Sequence, residues 1–250
     1  MMRKLLLIPF FIASLFLQAQ QADSTKNRVD AQGRKQGYWE ELINRQIHKG
    51  QYVDNLREGL WRTYHPQGFI NEVINYSKGK RNGLRLEIDK RGYLTVEEYY
   101  KDDLLDGLSI NYMPGGRPLV EQWYKAGKPW GVKKIYYENG KLQEESNYVD
   151  GVRHGISRWF YQDGKPAAEY IYNKGELDGL QKTYAKDGSL EKTETYKNGF
   201  LEGEYKEYYP DGKTKIAGMY KNGEKEGKWI EYSPEGKETK TTRYVKGMEK

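Results

Sequence analysis

The sequence repeats itself with a fixed period. Glycine recurs at one point of nine successive units, at Gly37, Gly59, Gly83, Gly107, Gly131, Gly155, Gly179, Gly203 and Gly227. The first step is 22 residues and every later step is 24 residues. A period of about 20 to 50 residues is typical of solenoids and arrays, in which each unit buries its apolar face only against its neighbours. We therefore predict one repeat array over residues 37–250, with units that start at these nine glycines.

Two further rows of residues keep the same period. One row consists of Gly68, Gly92, Gly116, Gly140, Gly164, Gly188, Gly212 and Gly236. The other consists of Gly79, Gly127, Gly151, Gly175, Gly199, Gly223 and Gly247, with Asn55 and Asp103 in its two gaps. Asn and Asp are the other residues that tolerate a left-handed backbone. Both rows therefore predict turns.

Each unit has the pattern of a β-hairpin. In the unit that starts at Gly131, a run rich in β-branched and aromatic residues, 132–137, precedes Asn139-Gly140, and a second run follows at 141–148. An Asn-Gly pair between two such runs is a strong hairpin signal. The first unit is two residues shorter than the others, and we expect a tighter turn near Asn44-Arg45 to keep both of its strands.

Aromatic residues end both runs of the unit. The second run ends in an unbroken row of tyrosines: Tyr52, Tyr76, Tyr100, Tyr124, Tyr148, Tyr172, Tyr196, Tyr220 and Tyr244. Two rings per hairpin do not offset the conformational entropy of ordering its backbone, so the hairpins must pair edge to edge. We predict an all-β fold, an elongated single-sheet antiparallel β-meander of nine hairpin repeats and about 18 strands.

The N-terminal residues predict export. A basic start is followed by an apolar run at 5–17 and by Ala19, which is the pattern of a signal peptide over residues 1–19. The alternative is a buried N-terminal helix, but residues 20–36 form a polar segment that offers it no apolar partner. We expect a product in the periplasm, on the outer surface or secreted.

Composition limits the partners that we expect. The chain has no cysteine, so an exported product would depend on packing and strand pairing instead of disulfides. Its net charge of +6 is small for 250 residues, and we expect no nucleic-acid partner. The mean hydropathy is −1.00, yet 14% of the residues are aromatic, which argues against disorder.

Catalytic and metal-binding patterns are weak. His48, His65 and His154 fall in different units without a zinc-site spacing. A glutamate row at Glu97, Glu121, Glu145 and Glu169 is better interpreted as a cross-strand ion-pair ladder than as catalytic carboxylates. We expect no catalytic residue, no cofactor and no metal.

Some aromatic residues recur irregularly, so the repeat does not require them. We number the residues of each unit from its opening glycine and assign alternate residues to opposite faces of the sheet. The irregular aromatic residues have even numbers and form the even face. The odd face repeats from unit to unit, and we assign it to the structural stripe. That even face holds the candidate partner-binding residues Trp39, Trp61, Tyr99, Trp123, Tyr137, Trp159, Tyr161, Tyr209 and Trp229. The alternative is that these residues pack against the turns or the curl of the sheet.

The units resemble the MORN repeat in its bacterial variant form. The resemblance is clearest at 227–232, Gly-Lys-Trp-Ile-Glu-Tyr, and at 59–64, Gly-Leu-Trp-Arg-Thr-Tyr, and it extends over 37–250. It implies a twisted meander of hairpins with roles in protein interaction or phospholipid contact, and similar bacterial proteins are often labelled antitoxin components. We call the second residue after the opening glycine position two. It is Trp at Trp39, Trp61 and Trp229 and another residue in the other six units.

These patterns favour a non-enzymatic, exported scaffold that binds a protein or a component of the cell envelope. One alternative is peripheral membrane or glycan binding through the surface aromatics and the lysine-rich turns. Another is an antitoxin-like partner protein, although a signal peptide fits a cytoplasmic antitoxin badly.

Overall fold

The computed structural model describes residues 26–250, and the predicted signal peptide at residues 1–19 lies outside them. The described residues contain strands and no helix. In chain order the strands are β1 (Arg28–Val29), β2 (Lys35–Ile43), β3 (Gln46–Val53), β4 (Leu56–Tyr64), β5 (Ile70–Ser77), β6 (Lys80–Ile88), β7 (Leu94–Lys101), β8 (Leu104–Leu105), β9 (Gly107–Tyr112), β10 (Pro118–Lys125), β11 (Lys128–Tyr136), β12 (Leu142–Val149), β13 (Val152–Phe160), β14 (Pro166–Asn173), β15 (Glu176–Leu177), β16 (Gly179–Tyr184), β17 (Leu190–Lys197), β18 (Phe200–Tyr208), β19 (Thr214–Lys221), β20 (Glu224–Tyr232), β21 (Glu238–Val245) and β22 (Met248–Glu249).

Neighbouring strands of the chain pair antiparallel, and together they form one 22-stranded sheet in meander order. The predicted all-β, single-sheet antiparallel meander is confirmed. Four of the 22 strands have only two residues, and the remaining long strands match the number predicted from two strands per unit. The fold is therefore a ladder of hairpins in which each long strand pairs with the long strands next to it in the chain.

The short strands β8 and β15 come from interruptions of a longer strand. Each is separated from the next strand by one aspartate before an opening glycine, Asp106 and Asp178. The Asp106 amide donates to the Tyr99 carbonyl at 2.8 Å, and the Asp178 amide donates to the Ile171 carbonyl at 2.9 Å. The interrupted backbone thus still bonds to the preceding hairpin.

Two short strands cover the ends of the sheet. At the N-terminal end, β1 pairs with the start of β2, with Arg28 opposite Gln36. At the C-terminal end, β22 pairs with the end of β21, with Met248 opposite Val245. An edge strand exposes unpaired backbone groups to other chains, so each cap reduces the length of edge that remains open.

Two-residue turns connect one unit to the next. Asp150 and Gly151 have φ values of 50° and 91°, and a type I′ turn needs a positive φ at both of its central residues. Asn55 and Asp103, at φ values of 67° and 69°, occupy the two gaps in the glycine row. The same geometry at Asn44 and Arg45, with Ile43 opposite Gln46, confirms the tighter turn predicted for the first unit.

The loop inside every unit after the first is longer than a two-residue turn. In the unit that starts at Gly131, the Tyr137 amide donates to the Lys141 carbonyl and the Gly140 amide donates to the Tyr137 carbonyl, both at 2.8 Å. Gly140 has a φ of 81°, whereas Asn139 is not left-handed. The strand register shifts by one residue beside this loop, between Ile135 and Tyr136. The loop therefore carries a β-bulge.

This bulge decides which side chains share a face. Within a hairpin, the second residue after the opening glycine lies opposite the residue two before the row tyrosine, as in the pair Trp61 and Ile74. When residues are counted from the opening glycine of the unit, even positions of its first strand thus share a face with odd positions of its second strand. Our assignment by simple alternation is wrong here, because it carried one parity across the loop and ignored the extra residue.

The sheet has two distinct faces. The packed face carries the second residue after each opening glycine and the tyrosine row, and its cluster consists of Trp39, Tyr52, Trp61, Ile74 and Tyr76. The open face carries the first residue after each opening glycine and its partner on the second strand, as in the pair Leu84 and Tyr99. The fold is stabilised mainly by the packed face, where side chains of successive strands form one continuous row.

Candidate functional site

The nine predicted binding residues do not share one surface. Trp39, Trp61, Trp159 and Trp229 lie on the packed face, and Tyr137, Tyr161 and Tyr209 lie in the loops inside the units. Only Tyr99 and Trp123 lie on the open face, opposite Leu84 and Leu108.

The tryptophans at position two are part of the core. Trp61 and Trp229 are 1% and 6% exposed. Trp61 packs edge-on against Tyr52 with ring centroids 4.9 Å apart, and Trp229 packs edge-on against Tyr220 at 5.1 Å. Edge-to-face contacts of this kind stabilise aromatic pairs beyond the area that they bury. These residues are therefore not available to a partner.

Position two also has a hydrogen-bonding role. The indole N–H of Trp61 donates to the Gln51 carbonyl at 3.1 Å, and that of Trp229 donates to the Met219 carbonyl at 3.2 Å. Both carbonyls lie at register shifts between neighbouring hairpins, where the regular ladder is interrupted. At Gln181 the side-chain amide accepts from the Ile171 amide at 2.7 Å. An unpaired backbone group in a buried place is unfavourable, and in these three units the side chain at position two satisfies it.

Other side chains at position two form local polar networks. Arg85 donates to Glu72 at 2.8 Å and to Glu98 at 2.7 Å, and also pairs with Glu87. Ser157 is an exception, because it is fully buried and its Oγ has no hydrogen-bond partner among the described residues. The departures from Trp in the sequence are thus accommodated on the packed face and do not mark a separate site.

The fourth tryptophan, Trp159, lies at position four on the packed face. Its ring centroid is 5.1 Å from that of Tyr170, and the Arg153 guanidinium lies 5.6 Å from its ring. A guanidinium over an aromatic face is attracted by the ring electrons. Arg153 also donates to Glu144 at 2.7 Å, so Trp159 belongs to an internal cluster.

The three loop tyrosines link neighbouring units. Their hydroxyl groups donate to main-chain carbonyls one unit further on, all at 2.7 Å: Tyr137 to Phe160, Tyr161 to Tyr184, and Tyr209 to Tyr232. His65 occupies the same loop position, and its Nε2 lies 3.4 Å from the Ile88 carbonyl. His65 and the three tyrosines are each the sixth residue after an opening glycine, and this shared spacing is the sequence signal for their role. Treating His65 together with the other histidines missed this signal.

The lysines of the loops are also engaged. Lys141 donates to the Asp163 carbonyl at 2.7 Å, and Lys213 donates to the Pro234 carbonyl at 2.8 Å. Lys165 makes the corresponding bond to the Asp187 carbonyl at 3.1 Å. These ammonium groups bond the next loop while remaining at the surface.

The open face carries an exposed apolar stripe. The open-face stripe, in which Asn147 is the one polar member, consists of Leu84, Tyr99, Leu108, Trp123, Val132, Asn147, Ile156, Ile171 and Leu180. Trp123 is 49% exposed and Tyr99 is 38% exposed. Nine adjacent strand positions at ~4.8 Å each make the stripe roughly 40 Å long. Beyond it, the same row becomes charged at Glu204, Lys228 and Arg243.

A glutamate row runs beside the stripe on the open face. Glu97 accepts from the Tyr112 hydroxyl at 2.9 Å and from the Tyr99 hydroxyl at 3.4 Å. Burial and this carboxylate raise the pKa of both tyrosines. Burial and the neighbouring Glu121 raise the pKa of Tyr136 to about 12. The phenols therefore stay neutral and serve as donors.

The predicted ion-pair ladder is confirmed at one end of the row only. Glu169 pairs with Arg158 at 2.8 Å and with Lys182 at 3.6 Å. Glu97 instead lies between Leu86 and Ile110 on the neighbouring strands. Glu121 lies between Ile110 and Lys134, yet within residues 26–250 no lysine or arginine nitrogen comes within 4.0 Å of either carboxylate.

The histidines do not converge. Burial lowers the pKa of His48, whose Nδ1 lies 3.1 Å from the Thr63 hydroxyl. Over the described part of the chain, no group of three or more His, Cys, Asp or Glu side chains is placed to hold a metal ion. Within those residues there is likewise no helix long and apolar enough to span a membrane.

Comparison with known proteins agrees with this architecture. The family model described as the MORN repeat variant matches residues 131–150, 153–174, 177–198 and 201–222. No curated protein matches the sequence. Repeats of this family generally act as scaffolds that bind proteins or membranes. The matched segments are four consecutive units of the array described above, and the chain therefore contains MORN variant repeats over residues 131–222.

Proposed function

We propose that this protein is a non-enzymatic, exported scaffold that binds a protein partner along the open-face stripe. The observation that carries the proposal is the exposure of Trp123 and Tyr99 on a face that the repeat does not need for packing. On the packed face Trp61 and Trp229 are buried and Trp39 and Trp159 are half-buried, so Tyr99 and Trp123 are the exposed rings among the nine candidates.

The chemistry of the stripe suits a protein interface. Tryptophan and tyrosine are enriched among the residues that contribute most to binding, since they bury a large area and lose few rotamers. Flanking leucine, isoleucine and valine side chains supply an apolar surround, and Glu97 and Glu121 supply a polar rim. Exposed contiguous apolar surface on a monomer commonly marks an interaction site.

The binding test compares matched variants in affinity capture from the native envelope. The Tyr99→Ala, Trp123→Ala double variant removes both exposed rings, and Tyr137→Phe serves as a control because it lies in a loop away from the stripe. We expect the double variant to lose a partner that the wild type and the control retain. Equal recovery by all three proteins would contradict the proposal.

Export is tested separately. The pattern at residues 1–19 supports cleavage after Ala19, and the mature chain would then begin at Gln20. Mass spectrometry of the native protein from periplasm or medium should find this N-terminus. A mature protein that retains Met1 in the cytoplasm would reject export and would favour the antitoxin-like alternative instead.

A second candidate function is peripheral membrane contact, favoured by one edge of the sheet. Exposed apolar side chains lie beside the turns that connect the units: Val53, Leu56, Leu104, Val149, Val152, Phe200 and Met248. Phe200 is 65% exposed and lies opposite Lys197. Aromatic and aliphatic groups beside lysines are suited to an anionic bilayer surface. Co-sedimentation with anionic vesicles, lost in Phe200→Ala and Leu104→Ala, would support this candidate.

A further inference from the structure

We infer that the partner of the open face is an extended basic polypeptide segment whose Lys or Arg side chains recur at every third residue. The inference rests on the proposed function and specifies the chemistry of the partner. It starts from one part of the stripe, around strands β7, β9 and β10.

This part of the sheet contains two ring–carboxylate pairs, in each of which an aromatic ring lies next to a glutamate. Glu97 precedes Tyr99 by two residues on β7, and Glu121 precedes Trp123 by two residues on β10. Alternate residues of a strand point to the same side, so each carboxylate lies beside an exposed ring. A cation can contact the ring face and the carboxylate together, and both contacts are attractive.

The charge on this part of the open face is unbalanced. Along the row that contains Glu97 and Glu121, the neighbouring residues Leu86 and Ile110 are apolar. Further along, Lys134, Arg158 and Lys182 alternate with Glu145 and Glu169, and Glu169 pairs with both Arg158 and Lys182. Lys134 faces Glu121 across the strand pair, and Lys101 and Lys125 lie on the opposite side of the rings. Glu97 accepts hydrogen bonds from the Tyr99 and Tyr112 hydroxyls, and within residues 26–250 no lysine or arginine nitrogen lies within 4.0 Å of Glu97 or Glu121. Both carboxylates therefore present negative charge at one margin of the stripe, where cations of a partner would be complementary.

The spacing of the two ring–carboxylate pairs selects the conformation of the partner. β7 and β10 are separated by β9, so equivalent residues lie two strand spacings apart, about 9.6 Å. A polyproline II segment rises ~3.1 Å per residue, and every third side chain is about 9.3 Å apart on one side. A segment that crosses the strands along the stripe thus places one cation at each pair. Its intervening residues then contact Leu108 on β9.

The test uses the full chain and three labelled synthetic probes, with Kd measured by fluorescence anisotropy. The first is a proline-rich peptide with Arg at every third position. The second has the same composition with all Arg at one end, and the third is a neutral oligosaccharide, cellohexaose. We expect the spaced peptide to bind more tightly than the clustered peptide and cellohexaose not to bind.

Variants locate the binding. Glu97→Gln with Glu121→Gln should weaken binding of the spaced peptide about fivefold, and Trp123→Ala should weaken it by a similar factor. The matched control Glu169→Gln removes a carboxylate of the same row that already has Arg158 and Lys182 as partners, and its Kd should stay within twofold of the wild type. Binding should also weaken as salt rises, because exposed charges are screened.

Three results would overturn the inference. The spaced and clustered peptides could bind equally, the Glu97→Gln, Glu121→Gln variant could bind as the wild type does, or cellohexaose could bind in place of the peptide. Each of these leaves the proposed function intact if affinity capture still depends on Tyr99 and Trp123. Loss of that dependence removes the proposed function itself.

Discussion

The indole ring of Trp61 lies directly against the backbone of Gly50 on the neighbouring strand. A Cβ atom built at Gly50 would overlap the ring, and the same relationship holds between Trp229 and Gly218. Gly50 has no need of a left-handed backbone. It is therefore glycine because the tryptophan of the next unit occupies the space beside it.

This contact predicts that the loss of stability caused by a side chain at position 50 depends on the presence of the Trp61 ring. Gly50→Ala should lower the free energy of unfolding by about 1–3 kcal/mol, because the ring or the strand must move. In a Trp61→Ala background the same substitution should cost almost nothing. Urea unfolding of the four proteins of this double-mutant cycle measures the coupling, and an equal cost in both backgrounds would show that the ring is not the obstacle.

The two faces predict opposite responses to the same substitution. Trp61→Ala on the packed face should destabilise the protein by about 3–5 kcal/mol, as loss of a buried aromatic side chain does. Trp123→Ala on the open face should change stability by less than about 1 kcal/mol, since half of the ring is exposed. Thermal and urea unfolding of both variants test this, and similar losses in the two would contradict the division into faces.

The loop tyrosines predict a link between units that depends on one hydroxyl group. Tyr161→Phe removes the bond to the Tyr184 carbonyl and should lower the free energy of unfolding by about 0.5–1.5 kcal/mol. Tyr93→Phe is the matched control, because Tyr93 is an exposed tyrosine at the end of another loop. Hydrogen exchange should show faster opening of the Tyr184 segment in Tyr161→Phe alone.

A buried carboxylate predicts sensitivity to acid. Burial by itself would raise the pKa of Glu144, but hydrogen bonds from Ser146 and Arg153 outweigh it and hold the pKa below the ordinary value. A depressed pKa means that the ionised group stabilises the fold above the pKa of the unfolded state. That contribution is lost as the pH falls from about 4.5 through the folded-state pKa.

Glu144→Gln should therefore be less stable than the wild type at pH 7 and should lose less stability than the wild type between about pH 5 and pH 3. Glu138→Gln, in an exposed loop, is the control. Unfolding curves at a series of pH values distinguish them. A wild-type dependence on pH that Glu144→Gln reproduces in full would exclude this carboxylate as a cause.

Sequence periodicity was sufficient for the architecture because the turns depend on single residues. The row of glycines completed by Asn55 and Asp103 identified every turn between units, since only residues that accept a positive φ fit there. The shorter first unit likewise predicted the turn at Asn44 and Arg45. These features are local, so no knowledge of packing was needed.

The face of the sheet on which each side chain lies could not be predicted from the periodicity in the same way. In the units after the first, a bulge beside the internal loop adds one residue, as between Ile135 and Tyr136. One extra residue reverses the alternation of a strand. Simple alternation therefore places Trp61 and Tyr76 on opposite faces, although their ring centroids lie 6.4 Å apart. Tyr99 and Trp123 were grouped with core tryptophans for the same reason.

The most direct test of the open face as the binding surface is site-specific photo-crosslinking in the native envelope. A photoreactive amino acid at position 180, at the exposed end of the open-face stripe, should capture the partner. The same group at position 111, an exposed position two residues after buried Ser109 on the packed face, should capture nothing. Capture from position 111 and not from position 180 would contradict the account.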